Sequence, residues 1–516
     1  MKLNKLFSGI IVASMLMFTS CDLAPEVYSD VPKDDYYKTP DQFATLLANA
    51  YSQLGGEYGY IYREGYWSMQ EYTTDEVVVP TRGQDWYDNG VPQAMHLQTW
   101  EENTRDINNG WSFAYGGVAK CNAVLDKIVE LQGSDESVYT DAAKAGVAET
   151  KVLRAWYHLL AMDLYGRIAI DDNSPEIKKN GVRQAESRKA VFEWIEKEIQ
   201  DNIGKLANVR RYGSITRPVA HMILAKMYLN AEVYTGTPMW DKCIAQCDSI
   251  INGGYGYLLN ADYFTTFKKD NTDNAEIIFP IVFDQVYANG NMFHLITLHY
   301  VHKQVYNFDT DCWNGPCTLG SFYDKYADND KRKNQWFVGP IMKDGDTLTY
   351  KVPAMDDKEL PAIIVDTVTT IEDGTAANTF EGPRFVKFEI EPGIKHHANS
   401  DFPIYRYADL LLMKAECLMR QNGGTATPEA LALINQVHTR AGLPAYTSID
   451  LDELLDERGR ELAWEAHRRQ DLIRFNKFTT GMWEFMSARS SNRNIFPIPT
   501  WVLDANPGVY TQNSWQ

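Results

Sequence analysis

The sequence predicts a mainly α-helical protein that is built from paired helices and interrupted by long insertions. Apolar residues recur at intervals of three to four over most of the chain, whereas strand-like alternation is confined to a few short runs. Helical stretches such as RAWYHLLAMDLYG mix small and large aromatic side chains, which lets paired helices approach closely. The spacing is irregular. We therefore predict degenerate tetratricopeptide-like helical hairpins with long loop and small β-hairpin insertions.

The first residues predict an exported lipoprotein. Lys2 and Lys5 precede an apolar run at residues 6–18, which is shorter than the roughly 20 residues that span a bilayer. Cys21 directly follows a small residue, as in a lipobox, where the cysteine is acylated after cleavage; ordinary signal cleavage is the alternative. The prediction is a signal peptide at residues 1–20 and a lipidated tether at residues 21–40.

The charge of the chain argues against nucleic acid as a partner. The chain has 516 residues, with 50 basic and 69 acidic side chains, for a net charge of −19. Such an acidic surface repels phosphate backbones and suits a neutral or cationic ligand better.

The length allows one large domain, which we place at residues 41–516. Its expected parts are an N-terminal helical part at about 41–250, a loop-rich insertion at about 252–401 and a C-terminal helical part at about 402–516.

Amphipathic patterns place the helices in order along the chain. The pattern in ESRKAVFEWIEKEIQDNIGKL predicts a helix with Ser187 as its N-cap, and Asp450 with Glu453 forms a capping-box pattern before the last long helix. The predicted helical segments are residues 41–54, 111–131, 142–165, 187–206, 219–233, 404–420, 428–441 and 451–475.

Two long segments lack a helical pattern, at residues 58–104 and 252–401. The second contains the strand-like runs AIIVDTV and RFVKFEI, which predict small hairpins packed on the helical body. Because long loops in compact domains are usually functional, we expect the ligand site in these insertions.

The sequence lacks the motifs of familiar enzymes. It contains no GxSxG, HExxH, phosphate-binding loop or GxGxxG. The histidines at 294, 299, 302, 396 and 397 have no carboxylate at a metal-ligand offset, so they are interpreted as structural, and no metal or cofactor is expected.

Glu461 and Glu465 are the only carboxylates that suggest a glycosidase pair. They belong to a stripe of acids and arginines spaced three and four residues apart, which also includes Arg458, Asp471 and Arg474. Arginine neighbours lower carboxylate pKa values, whereas a general acid needs a raised one. We therefore interpret the stripe as a structural ion-pair ladder.

Two loops have the composition of a carbohydrate site. RGQDWYDNG and TDCWNGPC each place a tryptophan, Trp86 or Trp313, among short polar side chains and glycine. Sugars stack their C–H faces on aromatic rings and bond their hydroxyls to such polar groups. The alternative is that either tryptophan packs back on the helical body. Cys312 and Cys317 form a candidate disulfide in the second loop.

These motifs resemble the SusD/RagB family of Bacteroidetes outer-membrane nutrient-binding lipoproteins. The resemblance rests on the lipobox, TTDEVVVPTRGQDWYDNG, ETKVLRAWYHLLAMDLYG, FPIYRYADLLLMKAECL, RGRELAWEAHRRQDLIRFNKF and the terminal IFPIP, in that order. It implies a mostly helical tetratricopeptide-like fold, no catalytic activity, and a TonB-dependent, SusC-like outer-membrane barrel as partner. The protein would be lipid-anchored at the cell surface.

The resemblance also implies a set of ligand-binding residues. Carried over to this sequence they are Trp86, Tyr300 and Trp313, with Arg82, Asp85 and Asn314 as hydrogen-bonding neighbours. On its own pattern, Tyr300 would be a core residue. The order WNG departs from the starch-binding pattern, in which tryptophan follows NG, so the resemblance does not name the sugar.

Three functions therefore compete. The first is a non-enzymatic surface lipoprotein that captures oligo- or polysaccharide and delivers it to the transporter barrel. The second is a helical adaptor or lid for the barrel, with peptide cargo or no direct ligand. The third is an α-helical glycoside hydrolase.

Overall fold

The computed structural model describes residues 40–56, 58–83, 85–134, 141–371 and 379–515. The predicted signal peptide, Cys21 and residues 22–39 of the predicted tether lie outside this part of the chain. Within it, none of the helices is both long and apolar enough to cross a membrane.

Helices dominate the described residues, and this confirms the predicted fold class. The helices there are α1 (Pro40–Tyr51), α2 (Tyr66–Glu71), α3 (Val91–His96), α4 (Arg105–Ser134), α5 (Asp141–Tyr165), α6 (Pro175–Asn180), α7 (Arg188–Ile203), α8 (Arg217–Leu229), α9 (Ala231–Thr235), α10 (Trp240–Ile251), α11 (Phe293–Thr297), α12 (His302–Tyr306), α13 (Gly320–Tyr323), α14 (Tyr407–Gln421), α15 (Pro428–Arg440), α16 (Leu451–Leu462), α17 (Arg468–Arg474) and α18 (Thr500–Ala505).

The strands are short and pair two by two, always antiparallel. They are β1 (Ile277–Ile281), β2 (Trp336–Phe337), β3 (Gly339–Pro340), β4 (Met342–Lys343), β5 (Asp346–Thr347), β6 (Thr349–Val352), β7 (Lys358–Pro361), β8 (Ile363–Ile364), β9 (Arg384–Phe385) and β10 (Phe402–Arg406). The pairs are β1 with β10, β2 with β9, β3 with β8, β4 with β5 and β6 with β7.

Long helices pack side by side as hairpins. α4 packs on α5, α5 on α7, α8 on α10 and α14 on α15, while α10 also contacts α14 and so links the two halves of the chain. Small residues make the close approach possible. A Cβ added to Gly117 of α4 would lie 2.4 Å from the ring of Tyr157 on α5, so this crossing needs glycine.

The predicted N-caps are confirmed. The Ser187 side chain accepts a hydrogen bond from Ala190 N, and the Asp450 side chain accepts one from Glu453 N. The reciprocal half of the capping box is absent from the hydrogen bonds of these residues. Glu453 instead accepts a bond of 2.5 Å from the Tyr446 hydroxyl.

Three predicted helices differ clearly from the structure: one begins later than its periodicity indicates, and two are each divided into two shorter helices. Residues 402–406 form β10 and pair with β1, so α14 begins only at Tyr407. The segment 219–233 breaks at Asn230 between α8 and α9. The segment 451–475 breaks between Leu462 and Arg468, where α16 ends and α17 begins.

Buried carboxylates cause the last of these breaks. Trp464 and Ala466 have positive φ angles of 63° and 64°, which side chains other than glycine adopt at a cost. The Trp464 N–H donates to Glu76 Oε2 at 3.1 Å, and the Ala466 N–H donates to Glu71 Oε1 at 2.6 Å. These bonds come from a segment almost 400 residues away, so local periodicity gives no sign of the turn.

Glu71 and Glu76 are a buried carboxyl pair with raised pKa values. Burial raises the pKa of Glu71, and the neighbouring Glu76 raises it further. Burial also raises the pKa of Glu76, to about 8, although Arg468 acts in the opposite direction. Both shifts favour the protonated form of these carboxyls in the folded state.

The segment 58–104, predicted as an insertion of long loops, instead runs largely through the core. Trp67, Met69 and residues 77–79 are almost fully buried, and Trp67 Nε1 donates to the Trp464 carbonyl at 3.1 Å. Buried apolar and buried polar residues are mixed in this segment, and the polar ones form hydrogen bonds in the core. Its sequence therefore shows no helical or strand periodicity that would predict its burial. Its exposed residues include much of the loop around Trp86, together with Tyr58, Thr99 and Glu101.

The second insertion contains the small antiparallel pairs that the sequence predicts. Its strand RFVKFEI is shorter than expected, because only Arg384–Phe385 pairs with β2. A single apolar cluster extends from Phe43 to Trp515 and includes residues of all three predicted parts. The domain limits themselves remain a prediction.

Candidate functional site

The loop 82–90 holds Trp86 in a strained but well-fixed position. Arg82 and Asp85 exchange backbone hydrogen bonds of 2.8 and 3.1 Å, which closes a tight turn just before Trp86. Trp86 itself has a positive φ of 65°, a conformation that costs a non-glycine residue about 1–3 kcal/mol. Its indole Nε1 donates to the Trp313 carbonyl at 2.6 Å. The strain is offset by this bond and by packing, and the ring is half-buried.

A glycine in the second loop provides the surface on which Trp86 packs. A Cβ added to Gly315 would lie only 2.2 Å from the Trp86 ring. The φ angle of Gly315 is not positive. The close approach of the indole, rather than a turn, is therefore what requires glycine at this position.

The second loop is fixed by backbone bonds to residues 295–298. The amides of Trp313, Asn314 and Gly315 donate to the carbonyls of Leu295, Leu298 and Ile296 at 2.7, 2.9 and 2.7 Å. The Cys317 amide pairs with Val78, so the loop also joins the first insertion. Trp313 is thereby presented from a rigid backbone.

Arg82 and Asn314 lie beneath this loop, so the structure does not bring them together with the other predicted ligand residues in one cleft. Arg82 is 3% exposed and donates through Nε to the Asn314 carbonyl at 3.1 Å and through Nη2 to the Gly315 carbonyl at 3.4 Å. Asn314 is fully buried and donates to the Thr379 carbonyl at 2.9 Å. Both position the loop, because buried donors must be satisfied by the backbone around them.

Cys312 and Cys317 are free thiols, which differs from the candidate disulfide. Cys317 belongs to the main core, where its Sγ accepts a bond from Arg82 Nη2 at 3.4 Å. Cys312 packs in a separate apolar cluster with Leu295 and Leu298. The two thiols are used in packing on different sides of the loop.

Residues of the two loops, together with Arg63, Tyr300 and Tyr350, line an open cleft of about 620 Å³. It brings together four of the six predicted ligand residues: Trp86, Trp313, Tyr300 and Asp85. Its complete lining is Arg63, Asp85, Trp86, Asp88, Tyr300, Asp311, Cys312, Trp313 and Tyr350.

One side of the cleft is a pair of tyrosines. The rings of Tyr300 and Tyr350 stack with centroids 5.4 Å apart and planes at 25°. The Tyr300 hydroxyl donates to Asp85 Oδ2 at 2.6 Å. Burial, and then the hydrogen bond to Asp85, raise the pKa of Tyr300 well above its usual value, so this phenol remains a donor at any physiological pH.

The other side combines the two tryptophans with Arg63. The guanidinium carbon of Arg63 lies 5.2 Å from the centroid of the Trp313 ring and 5.9 Å from that of Trp86, within the range of cation–π attraction. Arg63 Nη2 also lies 2.8 Å from Glu64 Oε1. The buried Arg63 Nε has no hydrogen-bond partner in the part of the chain described.

Arg63, Asp88, Asp311 and Tyr350 are cleft residues that the sequence reasoning missed. Asp88 lies 3.7 Å from Arg105 Nη2, and Asp311 lies 2.8 Å from Lys303 Nζ. A signal existed for Asp88 and Asp311, since both lie within the two quoted loops. No local signal marks Arg63 or Tyr350, because they reach the cleft only through the fold.

Glu461 and Glu465 lie far from any open cleft, buried in a network of cations. Burial alone would raise the pKa of Glu461, but Arg440, Arg406 and Arg332 lower it to about 2. Glu465 is bonded by Lys387 and Arg406, and its pKa is also lowered.

The ion-pair interpretation is therefore confirmed, with one difference. The arginines of the same segment pair with Asp471, since Arg458 and Arg474 both lie 2.7 Å from it. Glu461 and Glu465 receive their cations from other parts of the chain. Neither carboxylate has the raised pKa or the access to substrate that a general acid needs.

Two of the histidines are structural in their surroundings. His299 and His302 are buried, and burial lowers the pKa of both. The described residues contain no group of three or more histidine, cysteine or acidic side chains arranged to hold a metal ion.

Comparison with known proteins matches the chain to families of binding proteins. Residues 275–515 match the family described as "SusD family", and residues 28–229 match the one described as "Starch-binding associating with outer membrane". The chain belongs to the SusD family.

Individual relatives extend this result over most of the chain. The starch-binding protein SusD of Bacteroides thetaiotaomicron is 24% identical over 503 residues, which cover 87% of this chain and 84% of that protein. The surface glycan-binding protein A of Bacteroides uniformis has a similar structure, with a TM-score of 0.72 at 19% identity, covering 93% of this chain and 100% of the other.

A third structure was solved with a ligand. The surface glycan-binding protein A of Bacteroides thetaiotaomicron, in complex with laminarihexaose, has a TM-score of 0.70 at 20% identity and covers 92% of this chain and 99% of its own. The relatives whose names state an activity are named as binding proteins, in line with the prediction of a non-enzymatic protein.

Proposed function

We propose that this protein is a glycan-binding lipoprotein of the outer cell surface, which captures oligo- or polysaccharide and delivers it to a SusC-like TonB-dependent transporter barrel. One observation carries the proposal. Trp86, Trp313, Tyr300 and Asp85, predicted from sequence as ligand residues, line one open cleft although they come from separate segments. Aromatic faces beside hydroxyl-bonding groups are what a sugar ring requires.

The size and rigidity of the cleft suit an oligosaccharide. The tryptophan pair and the tyrosine pair offer two aromatic surfaces within about 620 Å³, so two or more sugar units can be contacted at once. Each aromatic contact is weak, about 0.5–1.5 kcal/mol. A polysaccharide that engages several anchored copies gains affinity through multivalency.

The lipid anchor and the barrel are supported by other observations. The anchor rests on Cys21 in its lipobox arrangement, and the outer membrane is part of the description of the family matched by residues 28–229. Delivery to a barrel is the role that membership of this family suggests. Nothing in the sequence resembles a nucleotide-hydrolysing motif, so energy for import would come from the partner.

Native affinity electrophoresis of residues 22–516 tests the glycan proposal. The gels contain a panel of neutral and charged polysaccharides, and Trp313→Ala is compared with the native sequence. We expect retardation by at least one glycan and a roughly tenfold loss of affinity in the variant, because one stacking surface is removed.

Trp501→Ala is the matched control. Trp501 is 48% exposed on α18 and lies outside the cleft lining, so its removal should leave retardation unchanged. Equal loss in both variants would indicate a general effect of removing tryptophan and would contradict the site. No retardation by any glycan would favour the adaptor with peptide cargo or no ligand.

A further inference from the structure

We infer that the bound glycan is uncharged, and that Asp85 is the residue that excludes anionic polysaccharides. This inference rests on the proposed function and specifies the substrate class of the same cleft. It follows from which charged side chains of the cleft have a partner of opposite charge and which do not.

Asp85 is the carboxylate of the cleft without a cation. Its side chain is exposed and accepts the Tyr300 hydroxyl at 2.6 Å, and no ion pair of Asp85 occurs within the described ranges. The other two carboxylates have partners, since Asp88 lies near Arg105 and Asp311 near Lys303. Asp85 therefore contributes a full negative charge next to the tyrosine pair.

Arg63 does not offset this charge for a ligand. Its guanidinium lies beside the two indole rings, and its Nη2 is 2.8 Å from the Glu64 carboxylate. Glu64 also accepts a hydrogen bond from the Tyr62 hydroxyl at 2.8 Å and is mostly buried. A uronate or sulfate would have to compete with a fixed carboxylate for this cation, whereas a neutral hydroxyl does not have to displace Glu64 from it.

Neutral sugars fit both polar groups. Asp85 has acceptor sites left after its bond with Tyr300, since an ionised carboxylate accepts about four hydrogen bonds. A ring stacked on the tyrosines or tryptophans can donate hydroxyl protons to Asp85 and accept from Arg63. An anionic group about 5 Å from Asp85 would instead bind roughly three- to tenfold more weakly, by Coulomb repulsion in an open cleft where the effective dielectric constant is close to that of water.

The experiment compares each neutral polysaccharide with its own carboxymethylated form. The panel includes laminarin and starch, and the soluble chain of residues 22–516 is measured by affinity electrophoresis at low and high salt. We expect the neutral form to bind more tightly at low salt. The preference should shrink in 1 M salt, where charges are screened beyond about 3 Å.

Asp85→Asn identifies the residue responsible. The amide oxygen still accepts the Tyr300 hydroxyl, so the cleft keeps its shape while the charge is lost. We expect the ratio of neutral to carboxymethylated affinity to fall about three- to tenfold in this variant. Asp504→Asn, which removes one exposed charge from α18 outside the cleft lining, should leave the ratio as it is.

Three results would overturn the inference. Equal or tighter binding of the carboxymethylated form would show that the cleft accepts anions, although glycan binding itself would stand. An unchanged ratio in Asp85→Asn would show that another group sets the preference. Failure of every glycan in the panel to bind would overturn the proposed function together with the inference.

Discussion

The aromatic cleft and the buried charge network around Arg406 contain similar types of residue, but the two regions pair them differently. In the network, Arg406 contacts Glu276, Glu461 and Glu465 at 2.9, 2.6 and 2.7 Å, and all four side chains are almost completely buried. In the cleft, the exposed Asp85 has no ion pair within the described ranges and keeps acceptor capacity beyond its bond with Tyr300. Complete pairing makes a rigid framework, whereas incomplete pairing next to solvent leaves groups available for a ligand.

The comparison also concerns the aromatic residues. Around Trp464, rings such as Phe385, at a centroid distance of 4.3 Å, cover one another completely. In the cleft, Trp86 and Trp313 are only partly buried, and Trp86 packs against Gly315. A partly exposed ring can stack on a sugar, whereas a fully covered ring can only stabilise the fold.

Breaking the network should have the largest effect. Arg406→Met removes the cation shared by three buried carboxylates, so we expect the free energy of unfolding to fall by about 3–5 kcal/mol. Chemical denaturation monitored by tryptophan fluorescence measures this. Where the variant still folds, its glycan affinity should match that of the native protein. A change below about 1 kcal/mol would contradict the structural role assigned to the network.

The carboxyl pair Glu71 and Glu76 should make stability depend on pH. Because the folded pKa of Glu76 is raised to about 8, from about 4.3 in the unfolded chain, the folded state binds a proton that the unfolded state has lost between these values. Stability therefore decreases as the pH rises from about 4.3 to about 8, by at most about 1.4 kcal/mol per pH unit for one proton.

Glu76→Gln tests this dependence directly. The amide oxygen can still accept from Trp464 N–H, so the variant should lose part of the downward slope in denaturation midpoints between pH 5 and pH 9. While the protein is folded, its glycan affinity should change neither with the titration of Glu76 nor with the substitution. Identical slopes in the variant and the native protein would mean that Glu76 does not bind the proton in question.

Damage to the cleft should leave most of the stability intact and therefore sharpens the comparison. Gly315→Ala places a Cβ against the Trp86 ring, so the indole must move, and we expect affinity for the bound glycan to fall several-fold, with a loss of stability of about 1 kcal/mol or more. Isothermal titration with the bound oligosaccharide measures the affinity. Gly204→Ala is the control, since a Cβ there meets no atom within 4 Å.

Sequence reasoning predicted the fold class and the long helices because their signals are local. Ser187 and Asp450 cap helices as expected, since a cap and its amide lie three residues apart. The break between α16 and α17 was not predictable, because the turn is fixed by Glu71 and Glu76 from a distant part of the chain. The same limitation applies to the segment 58–104, whose burial depends on contacts with distant parts of the chain.

The candidate site was predicted in part for the same reason. Trp86 and Trp313 are conspicuous, because large apolar residues in polar, glycine-containing loops have no local core to enter. Arg63 and Tyr350 carry no such mark, since only the assembled chain brings them to the cleft. Arg82 and Asn314 have the right chemistry for a ligand, but their chemistry serves equally well to bond the loop backbone.

The bonds between the first insertion and the turn at 463–466 have a consequence for biosynthesis. Trp67 and Glu76, which precede the cleft loop in the chain, bond to Trp464 near the C-terminal end. A chain still being synthesised or translocated cannot make these contacts, because their partners are added last. The segment that carries the cleft loop is therefore held in place only once almost the whole polypeptide has been made and folded, so under the proposed function a prematurely terminated chain would not compete for sugar.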